Sequence, residues 1–147
     1  METHLELPYP PSVNNYWRRV GQRTIISKFG RQYKKEVAKL CRGLTPFDSS
    51  CRLKITILCC PPDRRKRDLD NVLKALLDSL SGYVYNDDSQ IDSILIIRSE
   101  VRKKGLIFLK VIEMGSNEQN KSKKRSNQSI KSRVHSDALS ERQNSLS

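Results

Sequence analysis

Histidine is nearly absent from this 147-residue chain, which has only His4 and His135. The four cysteines, Cys41, Cys51, Cys59 and Cys60, show no CxxC spacing. Together these shortages exclude a persuasive zinc site and leave reduced structural thiols as the expectation. Nor does any apolar run approach the ~20 residues needed to span a bilayer. The opening METHLELPYPPSV lacks both the basic flank and the long apolar stretch of a secretory signal. The expectation is a soluble, intracellular protein with no membrane partner.

Negative charge is also scarce. Only 16 Asp and Glu stand against 28 Lys and Arg, a net charge of +12 with a pI near 9.8. So strong an excess on a small chain points to a polyanionic partner, and nucleic acid is favoured over a membrane surface. Residues 1–114 hold 21 basic and 13 acidic side chains, and residues 115–147 hold 7 and 3. The excess is therefore +8 before residue 115 and +4 after it, so the first part is basic in its own right. From Ser116 onward aromatics vanish and serines, amides and basic residues dominate, a composition that reads as a disordered tail over residues 116–147. Residues 1–115 are long enough for one domain with a real core.

Within that part the pattern reads as α+β, a mixed β-sheet with helices packed on it. THLELPYP suggests a short strand stopped by prolines, PPSVNNYWRR an irregular loop, and RTIIS a second strand. SKFGRQYKKEVAKLCRGL spaces Tyr33, Val37, Leu40 and Cys41 as one face of a helix ending near Gly43. In CRLKITILCC the residues Leu53, Ile55, Ile57 and Cys59 alternate against Arg52, Lys54, Thr56 and Leu58, a strand with one buried face. DLDNVLKALLDSLSGY puts Leu69, Val72, Leu73, Leu76, Leu77 and Leu80 at helical spacing, with Gly82 placed to close it. IDSILIIRSEV and GLIFLKVIEM read as two more strands, and the intervening RKKG suits a hairpin.

RRKRDLDNVLK, residues 64–74, sets four cations directly against two aspartates. At about 100° per residue, Asp68 and Asp70 would lie some 200° apart if both were helical, so one must stand outside the helix for the two to share a ligand. Two readings stay open. Asp68 suits an N-cap and Asp70 the positive end of a helix dipole, with weak ion pairs to the cations alongside. Alternatively, Asp68 is freed from helical geometry and turns to the same side as Asp70. Lys74 follows Asp70 by one helical turn, where it is either a partner in chemistry or an ordinary ion-pair partner of Asp70 or Asp78. YVYNDDSQI supplies Asp87 and Asp88 in a turn, where local hydrogen bonding competes with a metal role. Two carboxylates about 5 Å apart repel by roughly 3 kcal/mol at an effective dielectric near 20, a cost that a hard divalent cation relieves. Such a cation would also reconcile carboxylates with the phosphates that the basic residues attract.

The string PDRRKRDLDNVLKALLDSL followed by GYVYNDDSQI closely resembles the signature of the RusA family of Holliday junction resolvases. The resemblance continues through the PPSVNNYW loop and the closing strand that ends in EMG, about residues 5 to 115. It implies an endonuclease that binds branched DNA, four-way junctions above all. Such an enzyme cuts two strands symmetrically by phosphodiester hydrolysis, in recombination and repair. It further implies a homodimer, Mg²⁺ as cofactor with Mn²⁺ as a substitute, and a place in the bacterial cytoplasm on the nucleoid. Asp68, Asp70 and Asp88 match the metal-binding catalytic aspartates and Lys74 the catalytic lysine; Asp87 has no assigned role. Arg64, Arg65, Lys66 and Arg67 then look like a DNA-contacting run. Asn14 and Asn15 are candidates for contacting DNA or supporting the site, Tyr16 and Trp17 for stacking, with Trp17 as core the competing reading. Two other functions compete: a non-catalytic basic nucleic-acid-binding module, and a less selective structure-dependent nuclease.

Overall fold

The computed structural model describes residues 1–115; the tail expected over 116–147 lies outside the described residues. Four strands form a mixed sheet in the order β1-β6-β4-β5: β1 Glu2–Leu7, β4 Leu53–Cys60, β5 Ile91–Arg98 and β6 Leu106–Glu113. β6 runs antiparallel to both β1 and β4, whereas β5 runs parallel to β4. The α+β expectation is met.

Register explains why one face is buried. Ile55 pairs with Val111 and Ile57 with Leu109, while Leu5 and Leu7 pair with Leu109 and Ile107. Because side chains alternate along a strand, these apolar residues all point to the same side. Two helices cover it, α2 Lys28–Leu40 through Tyr33 and Val37, and α3 Asp70–Leu80 through Val72, Leu76 and Leu80. Each such buried aliphatic side chain contributes roughly 1.5–3 kcal/mol. Of the apolar residues expected on α2, Leu40 is exposed instead, at the last turn. All four thiols are unbridged.

The expected hairpin between the last two strands does not form. β4 lies between β5 and β6, and residues 99–105 carry the chain around its end: Ser99 N–H donates to the Cys59 carbonyl (2.8 Å) and Arg102 N–H to the Pro61 carbonyl (2.9 Å). The physical reason is that β4 is the most deeply buried strand, with only Leu58 exposed, and so takes a neighbour on each edge. A parallel β4–β5 pair needs a long crossover, which residues 61–90 and their helix α3 supply.

PPSVNNYWRR is likewise more ordered than a loop. Ser12 C=O accepts from Asn15 and Tyr16 N–H (2.9 and 2.8 Å), making the one-turn helix α1 Val13–Tyr16. β2 Trp17–Val20 then pairs with β3 Arg23–Ile26 across Gly21 and Gln22. Tyr16 is the buried aromatic, and Trp17 is half-buried, edge-on to it at 5.1 Å between ring centres. Gly30 makes this packing possible, because a Cβ there would lie 2.8 Å from the Tyr16 carbonyl oxygen and 2.7 Å from Ile26 Cγ2. Backbone on one side leaves little room to relax. Gly30→Ala is expected to destabilise the protein by about 1–3 kcal/mol despite the better helix propensity of alanine, read as a lower midpoint in urea.

Candidate nuclease site

Pro61 and Pro62 end β4, and the next residues are organised by one carboxylate, Asp63. It accepts from Arg65 N–H (2.9 Å) and, through both oxygens, from the Arg67 guanidinium (2.9 Å to Oδ2). The Arg67 guanidinium, then the Arg65 backbone, hold its carboxyl well below the usual range. Arg98, the last residue of β5, donates to the Arg67 carbonyl. Arg67 is therefore spent on holding its own loop. Arg64, Arg65 and Lys66 are exposed, and the Arg65 guanidinium also lies 3.7 Å from Asp63.

These pairings bear on the two readings of the aspartates. Asp68 stands outside α3, whose N-cap is Leu69, and no side chain caps the helix. Asp70 occupies the first turn as expected. Both carboxylates are exposed, and among the described residues neither accepts a hydrogen bond nor forms an ion pair. Lys74 Nζ turns away from Asp70 to Asp78, at 3.2 Å. Among the described residues, side-chain capping and ion pairing do not engage Asp68 and Asp70, while Asp70 keeps its first-turn place at the positive end of the helix. Among the described residues, two carboxylates thus stand unpaired beside a cationic run.

Asp88 is delivered by a separate device. Tyr85 is fully buried and its hydroxyl donates to the Leu77 carbonyl of α3 (2.8 Å), fastening the following residues to the helix. Burial first, then the charges of Asp88, Asp78 and Asp87, push that phenol upward. Gln90, which the sequence does not single out, is the buried hub of the turn. Its Oε1 accepts from the Asn86 and Asp87 N–H groups (2.9 and 3.1 Å), and its Nε2 donates to the Asp48 and Cys51 carbonyls (2.7 and 3.3 Å). Asp87 is engaged locally, accepting from the Ser89 hydroxyl, which lowers its pKa. Asp88 begins the 3₁₀ turn Asp88–Gln90 and is exposed.

Asp78 is the other participant that sequence pattern barely marks. Its side chain is 22% exposed, and its charge acts on Tyr85 and on Tyr16, whose hydroxyl is pushed up to about 12, chiefly by burial. The Tyr16 hydroxyl lies beside that of Ser79, which is given to the Ala75 carbonyl (2.6 Å), and it finds no well-aligned partner of its own. Lys74 thus sits one turn from Asp70 and one turn from Asp78. Among the described residues, no three Asp, Glu, His or Cys side chains converge as a metal-holding group. Asp68, Asp70 and Asp88 share the crossover between β4 and β5 without closing into a cage.

A cleft of about 920 Å³ opens beside the loop, lined among others by Asn15, Arg65, Lys66, Arg67 and Asp68. A smaller one of about 280 Å³ lies against the same loop and includes Arg64 and Arg98. Asn14 is exposed but lines neither.

Residues 8–112 match the family model described as endodeoxyribonuclease RusA. The chain belongs to the RusA family. Its relatives include the crossover junction endodeoxyribonuclease rusA of Enterobacteria phage HK97, 43% identical over 118 residues, 78% of this chain and 98% of that one. The protein of the same description from Enterobacteria phage 82 is 40% identical over 116 residues, 77% and 96% of the two chains. That from Escherichia coli K12 is 37% identical over 115 residues, 76% and 95%. The RusA match begins just after β1 and takes in the whole crossover, so every candidate residue falls inside it.

Proposed function

We propose that this RusA-family chain is a Mg²⁺-dependent endonuclease that resolves four-way DNA junctions by paired, symmetric phosphodiester hydrolysis. The observation that carries the reading is the pair of exposed carboxylates Asp68 and Asp70, without a side-chain partner among the described residues, beside Arg64, Arg65 and Lys66. Oxygen-only donors suit Mg²⁺, which is commonly held by one or two carboxylates with water and substrate phosphate completing its shell. That chemistry fits an incomplete protein cage. Asp68 and Asp70 would hold the ion, with Asp88 as the third ligand; Mn²⁺ would substitute. When bound, the ion lowers the pKa of an attacking water and stabilises the leaving oxyanion.

The remaining work falls to the side chains. Arg64, Arg65 and Lys66 neutralise backbone phosphates and Asn15 donates to the same strand. Lys74, directed by Asp78, offsets negative charge gathering on the phosphoryl oxygens. Two nicks related by a two-fold axis need two such sites, so the working unit is an isologous homodimer. Leu58, Leu95 and Ile97, exposed on the sheet face that the helices leave open, support a contact with a second copy. Its place of action is the bacterial nucleoid, in the cytoplasm.

The test uses purified full-length protein with immobile and mobile four-way junctions. Symmetric nicks are expected only with Mg²⁺ or Mn²⁺, together with a solution mass of twice 17.0 kDa at micromolar concentration. Junction binding without metal-stimulated cleavage would instead identify a non-catalytic module. Equal cutting of flaps and duplexes would identify an unselective nuclease, and a cleaving monomer would overturn the dimer.

A further inference from the structure

Phe29 stands outside the hydrophobic core. It lies in the first turn of α2 with 65% of its surface exposed, whereas Phe47 is buried and Phe108 half-buried. Removing it would open no core cavity. Its position is nevertheless held firmly: the Ser27 hydroxyl accepts from Gly30 N–H (3.1 Å) and donates to the Asn15 carbonyl, and Gly30 is packed against Tyr16. The Ser27 hydroxyl thus ties the first turn of α2, which carries Phe29, to the backbone of Asn15, and both Phe29 and Asn15 line the 920 Å³ cleft that contains Asp68.

The rest of the lining is of mixed chemistry. Arg65, Lys66 and Lys104 suit phosphates, but Asn15, Gln32 and Asn71 amides and the Glu36 carboxylate do not need them. Gln32 and Glu36 lie one turn apart on α2, in hydrogen-bond contact at 3.4 Å. Glu36 would repel a phosphodiester. An aromatic face, amides that both donate and accept, and a carboxylate that accepts from an exocyclic amine are the groups that bind a nucleobase. In intact duplex no base is available to them. At the crossover of a branched junction a base can leave its stack.

We propose that Phe29 is a specificity-determining residue that stacks on an unstacked nucleobase next to the scissile phosphate, with Asn15, Gln32 and Glu36 reading its edge. The inference rests on the junction-cleaving function proposed above. It ties strand choice to a base rather than to the phosphates alone, so cleavage depends on which base reaches the cleft.

The experiment uses full-length wild type, Phe29→Ala and Phe29→Trp with a mobile junction carrying 2-aminopurine at the crossover. Emission is recorded without metal and cleavage with Mg²⁺. Wild type is expected to raise the emission on binding. Phe29→Ala should lose that rise, cut about ten- to a hundredfold more slowly, and spread its nicks over more positions; Phe29→Trp should keep cleavage rate and position. Thermal melting should be the same for all three, since the site is exposed. If wild type fails to cleave, the proposed function falls irrespective of Phe29. If wild type cleaves and Phe29→Ala matches it in rate and position, or Phe29→Trp fails as Phe29→Ala does, the stacking role is overturned.

Discussion

Asp70→Asn is expected to lower junction cleavage by several orders of magnitude while junction binding survives or tightens. Asparagine keeps the shape of the side chain and a polar group in the first turn of α3, but removes the charge that would hold Mg²⁺. Activation of water and stabilisation of the leaving oxygen supply several kcal/mol, and each 1.36 kcal/mol is tenfold in rate. Binding gains because a negative charge facing the phosphates has gone. Asp70 makes no hydrogen bond or ion pair among the described residues, so little else is lost. If the carboxylate served only the helix dipole, stability would drop by about 0.3–1 kcal/mol and activity would hardly change. Single-turnover cleavage at saturating Mg²⁺, alongside binding without metal, separates the two. Wild-type rates in Asp70→Asn would refute the metal assignment.

Gln90→Ala is expected to be among the most destabilising single substitutions in the domain. It removes both ends of an amide that joins two N–H groups of the 86–87 turn to two carbonyls of the 48–51 segment. Stranding buried polar groups costs about 1–3 kcal/mol each. Part of the turn is exposed and recovers water, so a total of about 2–4 kcal/mol follows, on the order of 10 °C in melting midpoint. Asp88 loses its anchor at the same time. Cleavage should fall even at temperatures where the variant is fully folded, with far-UV dichroism as the check. Unchanged cleavage in folded Gln90→Ala would separate Asp88 from the chemistry.

The parts of the fold legible in sequence are those where a local period meets one environment. The β4 face of Leu53, Ile55, Ile57 and Cys59 and the α3 stripe of Val72, Leu76 and Leu80 are buried as expected, because each pattern has one sheet or one helix layer to satisfy. Strand adjacency was not legible. RKKG carries a turn signal, yet which strand fills the space beside β4 depends on β4's burial, which no local stretch encodes. The same distinction runs through the site. That one of Asp68 and Asp70 must stand outside the helix for the two to share a ligand follows from angular spacing alone. That Arg67 would serve Asp63, and Lys74 would choose Asp78, is competition among several charges within reach, decided by the path of the loop. Gln90 escaped notice because a buried glutamine differs from a surface one only in its four partners, which come from residues about forty positions apart as well as from neighbours.

The strand order also governs when the protein can act. β6, the last of the described strands to leave the ribosome, lies between the first strand and β4. β1 has no partner in the sheet until residues near 107–112 have been translated. The domain therefore finishes folding only after nearly all of residues 1–115 have been made, since the β1–β6 pairing joins its opposite ends. A prematurely terminated product would carry the basic run and the aspartates on an unfinished sheet.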